Sequence, residues 1–109
     1  VAGTLRRNIV ALGEESRSTV VVGDYRRAAS GLMDRREVFD LLFADPPYRM
    51  LAKVEVSLAP LLPSLLSQAG VLVIEGPTSI PVSFGGTLML ERDYGDTRVT
   101  MIRPERSDP

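Results

Sequence analysis

The 109-residue chain has no cysteine and no histidine. The first absence rules out a disulfide framework and any thiolate metal site. With the second, the usual zinc arrangements and histidine-based catalysis drop out as well. No apolar stretch approaches the roughly 20 residues that a membrane span needs. The start Val1-Ala2-Gly3-Thr4-Leu5-Arg6 has no signal-peptide layout. A soluble, cytoplasmic protein without a membrane partner is expected. An excess of charge of one sign is missing too: the net charge is −1, so the whole-molecule field gives no nucleic-acid signal by itself. Lysine is nearly absent, since twelve of the thirteen basic residues are arginine. Seven of the thirteen fall within the first 36 positions, including the pairs Arg6-Arg7, Arg26-Arg27 and Arg35-Arg36. Such pairs either touch phosphate or form solvated helix faces.

What is present reads as one domain of alternating helices and strands. Val1, Leu5, Ile9 and Leu12 fall at helical spacing, so residues 1–12 form an amphipathic helix stopped near Gly13. Thr19–Val22 is a short β-branched run closed by Gly23-Asp24, and reads as a buried strand. A short helix from about Tyr25 to Leu32 follows. Val38–Ala44 is the next strand, and its nearly continuous apolar character suits a parallel sheet covered on both faces. Met50–Gln68 is helical, broken in two at Pro60 and Pro63, with Pro60 opening the second piece where a missing N–H does no harm. Gly70 resets the chain, Val71–Glu75 is a third central strand, and Gly76-Pro77 ends it. Gly86–Tyr94 and Thr97–Arg103 flank Gly95-Asp96 as a hairpin. Residues 104–109 are expected to be a flexible tail. Strand, helix, strand, helix, strand and then a hairpin is an α/β layout with an antiparallel edge.

The chemistry concentrates in Asp45-Pro46-Pro47-Tyr48, directly after the apolar strand. A residue that precedes proline is pushed out of the helical region, and both Asp45 and Pro46 precede one. The segment is therefore stiff before any ligand arrives. Neither proline has an N–H, so the loop offers acceptors with few competing donors: the Asp45 carboxylate and the carbonyls of Asp45 and Pro46. Tyr48 adds a flat face. Two acceptors beside a stacking ring suit a planar base held by its exocyclic amine. A rigid turn with Tyr48 packed on the surface is the alternative. Asp24, after Val20–Val22, stands at a strand's carboxyl end, where open α/β sheets place ligands, or serves as the N-cap of the Tyr25 helix. Tyr25 either lines a ligand pocket or is half-buried core. Glu75 ends the third central strand, Arg49 adjoins Tyr48 where a phosphate contact or a solvated side chain is equally natural, and Asn8 sits on the first helix.

Asp-Pro-Pro-Tyr at the end of a strand resembles the signature (Asp/Asn/Ser)-Pro-Pro-(Tyr/Phe/Trp) of S-adenosylmethionine (SAM)-dependent methyltransferases acting on exocyclic amines. Leu5-Arg6-Arg7-Asn8-Ile9-Val10-Ala11-Leu12-Gly13, Val20-Val21-Val22-Gly23-Asp24, Phe43-Ala44-Asp45-Pro46-Pro47-Tyr48 and Val71-Leu72-Val73-Ile74-Glu75 narrow the match. In order and spacing they are similar to bacterial 16S rRNA (guanine-N2)-methyltransferases of the RsmD type. The resemblance runs from about Val1 to about Arg103. It implies a Rossmann-like class I SAM methyltransferase sheet. It also implies Asp45, Pro46, Pro47 and Tyr48 as the catalytic loop, and Asp24, Gly23 and Tyr25 as cofactor-binding residues with Asp24 on the adenine amino group. SAM is the implied cofactor, and rRNA or the small ribosomal subunit the implied partner. No metal is implied.

The sequence departs from that pattern at its start. A complete enzyme of this kind has, upstream, a strand ending in a Gly-rich loop for the methionine part of SAM and a second strand ending in an acid for the ribose; neither stands here. Gly85-Gly86 is no substitute, because it precedes the hairpin and opens no helix. The resemblance is therefore to the C-terminal portion, residues 1–103, of a sheet truncated at its N-terminus. The two missing strands would lie between Thr19–Val22 and Val38–Ala44, and their loss leaves edges and apolar faces that favour self-association. The alternatives are an adenine-N6 or cytosine-N4 DNA methyltransferase, whose loop chemistry is the same, and a non-catalytic interaction fragment whose sheet edge pairs with a partner. In a calorimetric titration of SAM into the 109-residue chain, weak or undetectable binding is expected; low-micromolar binding to a monomer would sink the truncation argument.

Overall fold

The computed structural model of the chain describes residues 2–20 and 25–105. Helix α1 (Ala2–Ala11) stops where Gly13 takes φ +70. The Gly13 N–H donates to the Val10 carbonyl at 2.9 Å and that of Glu14 to the Ile9 carbonyl at 3.0 Å, a glycine cap. The apolar side chains Leu5, Val10 and Leu12 stay exposed. Helix α2 (Tyr25–Asp34) runs past the expected end at Leu32 and buries Ala29 and Leu32. Of the strand expected over Thr19–Val22, Thr19 and Val20 carry no regular structure. Val21, Val22, Gly23 and Asp24 lie outside the described residues, as do residues 106–109 of the expected tail.

Strand β1 (Phe39–Ala44) leads through the Asp45–Pro47 loop and a single 3-10 turn, Tyr48–Met50, into helix α3 (Leu51–Leu58). A second 3-10 turn, Ala59–Leu61, connects it to helix α4 (Leu62–Leu65). Pro60 and Pro63 each stand in a first turn, where no intrahelical bond is lost. The chain then enters β2 (Leu66–Pro77), which pairs in parallel with β1 from Leu41↔Val71 to Ala44↔Ile74. It returns as β3 (Thr87–Tyr94) and β4 (Thr97–Arg103), turned at Gly95 with φ +63, a conformation that glycine adopts without penalty. Strand β4 pairs antiparallel with both β2 and β3, so the sheet order is β1-β2-β4-β3. This is the expected α/β sheet with an antiparallel edge, in four strands among the described residues. None of the described helices is long and apolar enough to cross a membrane.

The core lies on one side of the sheet. Leu51, Val54 and Leu58 of α3 and Leu62 and Leu65 of α4 bury against Leu72 and Ile74 of β2 and Ile102 of β4. Fully burying a side chain of this kind contributes roughly 1.5–3 kcal/mol, so these few leucines and isoleucines dominate the stability of the crossover.

Two expectations change. Leu66–Gly70 belongs to β2 and not to the end of a helix followed by a break. Leu66 turns extended (φ −108, ψ 142), pairs with Phe39 and is 2% exposed. Burial and pairing outweigh the helical preference of a leucine-rich run. Gly70 fits there because a Cβ would stand 3.0 Å from the Leu66 Cβ and 3.1 Å from the Phe39 carbonyl, beside the irregular register between Phe39 and Leu41. The second change concerns β1. It is covered on one face only: Leu42 and Ala44 pack on the core, while Leu41 is 54% and Phe43 53% exposed. Helices α3 and α4 share one face.

This one-sidedness has a measurable signature. In the 109-residue chain, Leu72→Ala is expected to cost about 2–5 kcal/mol in urea unfolding. Leu41→Ala should stay within about 0.5 kcal/mol. Equal losses would mean that the Leu41 face is covered.

Candidate active site

The loop after β1 is extended by its sequence and anchored at its far end. Pro47 has φ −54 and ψ 140. Its carbonyl accepts the Met50 N–H at 2.8 Å, and the Tyr48 carbonyl accepts the Leu51 N–H. Those bonds use the acceptors that start the turn into α3. Among the described residues no donor takes the Asp45 carboxylate or the carbonyls of Asp45 and Pro46. The loop therefore offers a carboxylate and two carbonyls on a backbone that two prolines hold in place.

Asp45, Pro46 and Pro47 line a cleft of about 960 Å³. Tyr25 and Arg26 from the start of α2, Phe43 and Ala44 from the end of β1, and Lys53 from α3 complete the parts relevant here. A cleft of this size is within the range that holds a nucleoside-sized ligand. Tyr25 is half-buried and at the same time borders the cleft. It packs on the core, its hydroxyl donates to the Lys53 carbonyl at 3.5 Å, and it lines the cleft. The fold thus brings together Asp45, Pro46, Pro47 and Tyr25. Of the three expected cofactor residues, Gly23 and Asp24 lie outside the described residues.

Tyr48 belongs to the same loop but not to the cleft wall. It is 46% exposed, and its hydroxyl is 3.3 Å from the Thr97 hydroxyl at the start of β4. Glu75 is half-buried on β2 across from Val99 and does not line the cleft. Asn8 and Arg49 are exposed. Among the arginines expected as phosphate contacts or solvated faces, Arg35 pairs with Glu37 at 2.9 Å, and Arg17 pairs with Glu14.

Sequence reasoning passed over Thr97 and Lys53, and named Arg26 only as one of a pair of arginines that touch phosphate or face solvent. Thr97 stands 49 residues from Tyr48, and its only local signal was that it follows the Gly95-Asp96 turn. The hairpin that carries it is tied once to its surroundings and once across its own two strands. The Thr78 N–H at the end of β2 donates to the Asp96 carbonyl at 2.9 Å, and Arg98 clamps Asp93 with bonds of 2.7 and 3.2 Å. Glu91 lies 3.5 Å from the same guanidinium. The Arg98 hydrogen bonds hold the Asp93 carboxyl below the usual carboxylate range, against a partial loss of hydration and with added attraction from the Arg98 charge. The contribution of this pair to the hairpin is present above the ordinary Asp value of about 3.9. It is lost as the pH falls through the lower folded value. Carboxyl-carbon NMR is expected to show Asp93 titrating below the ordinary range, and returning to it in Arg98→Met; the same value in both proteins would remove the clamp.

No curated protein matches the chain. The sequence model of a family described as "Conserved hypothetical protein 95" matches residues 1–103. A hypothetical protein of Thermus thermophilus superposes with a TM-score of 0.65 at 25% identity, over 93% of this chain and 55% of its own. A conserved hypothetical protein of Streptococcus pyogenes gives 0.63 at 27% identity, over 93% and 63%. An Escherichia coli protein named "Putative methyltransferase yhhF" gives 0.61 at 21% identity, over 97% and 58%. The last likeness is one of fold. The chain spans less than two thirds of the length of each of these structures.

Proposed function

We propose that this chain, which belongs to the conserved hypothetical protein 95 family, is the amine-holding part of a SAM-dependent methyltransferase that acts on the exocyclic N2 of a guanine in 16S rRNA. The observation that carries the proposal is the Asp45-Pro46-Pro47 loop at the carboxyl end of a parallel strand, with its acceptors untaken among the described residues and its three residues lining a cleft of about 960 Å³. The fold shared with a structure of methyltransferase name supports the same class, and the resemblance of the quoted motifs supports the substrate.

An exocyclic amine on a base is a poor nucleophile because its lone pair is delocalised into the ring. The Asp45 carboxylate and the Pro46 carbonyl accept its two N–H hydrogens, which orients the nitrogen and favours its pyramidal form as the new C–N bond develops. The proton released from the nitrogen passes to Asp45 or to water. Tyr48 stacks on the base, worth roughly 1–3 kcal/mol on the scale of aromatic platforms, and the base must leave its stack to reach the loop. Tyr25, the member of the cofactor set among the described residues, lines the cleft, which supports a SAM site there. SAM would supply the methyl group.

A second reading concerns the chain by itself. Leu41 and Phe43 are exposed on the open face, and the outer edge of β1 has no partner among the described residues. Such an edge and face favour self-association.

The test uses the full-length natural protein that carries this sequence, with small ribosomal subunits, naked rRNA and duplex DNA as substrates. Asp45→Ala is expected to lower kcat by about 10²-fold or more on an rRNA substrate, since it removes both orientation and proton uptake. Methylation that is unchanged in this variant, or confined to duplex DNA, overturns the proposal.

A further inference from the structure

Asp45, Pro46 and Pro47 line the cleft, and the residue that follows them, Tyr48, is tied to the tip of the β3–β4 hairpin through the 3.3 Å contact between its hydroxyl and that of Thr97. We infer that Thr97 is a positioning residue for the base-holding loop: its hydroxyl fixes the plane of the Tyr48 ring against which the target base stacks. The inference rests on the proposed role of Tyr48.

Several observations carry it. Tyr48 is 46% exposed in a single 3-10 turn, and it lines no wall of the cleft. A ring that stands half in solvent gains a defined plane when its polar end is held. Thr97, by contrast, is a fixed point. It is half-buried, cross-strand from Pro77 of β2 on one side and from Tyr94 of β3 on the other, and its β-branched side chain has restricted χ1 freedom. The tip that carries it is closed by Gly95 and pinned to the end of β2 by the bond from the Thr78 N–H to the Asp96 carbonyl. The Arg98–Asp93 clamp then stiffens the hairpin on the opposite face, since directly paired residues share a face and successive residues alternate. The ends of β1 and β2 lie side by side in the parallel pair. A loop leaving β1 therefore meets a tip bound to β2 without any long-range movement.

The contact costs Tyr48 little and gives the ring a defined plane. Stacking needs that plane before the base arrives; an unfixed ring must be ordered at the moment of binding, which weakens binding and leaves the chemical step alone. Loss of the Thr97 hydroxyl should therefore raise KM for RNA more than it lowers kcat.

The experiment uses the full-length natural protein and an rRNA substrate, with Thr97→Val, Thr97→Ser, Tyr48→Phe, the double variant Tyr48→Phe/Thr97→Val, and Thr87→Val at the far end of the hairpin. Thr97→Val is expected to raise KM about threefold with kcat nearly unchanged, the size of one modest hydrogen bond. Thr97→Ser, which keeps the hydroxyl, should restore the wild-type value, and Thr87→Val should leave it untouched. Tyr48→Phe should reproduce the Thr97→Val effect, and the double variant should be no worse than either single one, because both remove the same bond. Thermal melts identify any variant that is simply unfolded, and Thr97→Ser together with Tyr48→Phe keeps the question open to measurement if Thr97→Val is one of them. An unchanged KM in a folded Thr97→Val, failure of serine to rescue, or full additivity with Tyr48→Phe overturns the positioning role while an active wild type keeps the site reading. Methyl transfer at an unchanged rate in Asp45→Ala overturns both.

Discussion

The fold and its loop both hang on the burial of one leucine-rich helical surface against one face of a short sheet. Leu51, Val54, Leu58, Leu62 and Leu65 come from a segment interrupted by two prolines, yet they form a continuous apolar layer over Leu72, Ile74 and Ile102. This layer holds the crossover between β1 and β2, and with it the two ends of the loop at Asp45–Pro47. It also leaves no latitude for bulk: Gly76 has no Cβ where one would stand 2.9 Å from the Leu51 Cδ2 atom. A loop that must present acceptors at fixed places needs such an anchorage on both sides. Here β1 supplies one and α3 the other.

The same layer explains why the molecule is asymmetric. Parallel strands are ordinarily covered on both faces, and β1 carries the apolar pattern for that: Leu41 and Phe43 alternate with Leu42 and Ala44. Only the second pair finds a partner among the described residues. Leu5 and Val10 of α1 are likewise exposed. Both features lie in the half of the chain nearest Val1, and the matched solved structures are longer than this chain by a large fraction of their length. The hairpin end of the sheet shows the reverse situation, with β4 flanked on both sides and its tip bonded to β2 and reaching Tyr48.

Much of the fold was legible in local pattern. The glycine that stops α1, the prolines in first turns, the Gly95-Asp96 hairpin and the apolar run of β1 each have a short-range physical cause, and each stands where that cause puts it. The start of β2 was not legible. Leu65 and Leu66 fit a helix as well as a strand, and only the pairing of Leu66 with Phe39 separates the two. Of the site, the loop itself was plain from two adjacent prolines after a strand. Its surroundings were not: Arg26 and Lys53 come to the cleft from different helices, and Thr97 comes to Tyr48 from β4, two strands away in the sheet.

The sequence by itself determined the chemistry on offer: no thiol, no imidazole, and an acidic residue followed by two prolines and a tyrosine. Those properties are covalent and local, since a proline removes a donor and restricts its predecessor in any fold. Only the tertiary structure decided which groups share a space. It placed Asp45, Pro46 and Pro47 with Tyr25 in one cleft, set the Tyr48 hydroxyl beside that of Thr97, and left Leu41 and Phe43 more than half exposed. Those outcomes depend on contacts between segments far apart in the chain, where register, crossover and the single-sided burial of the leucine layer decide, and where local propensity carries no information.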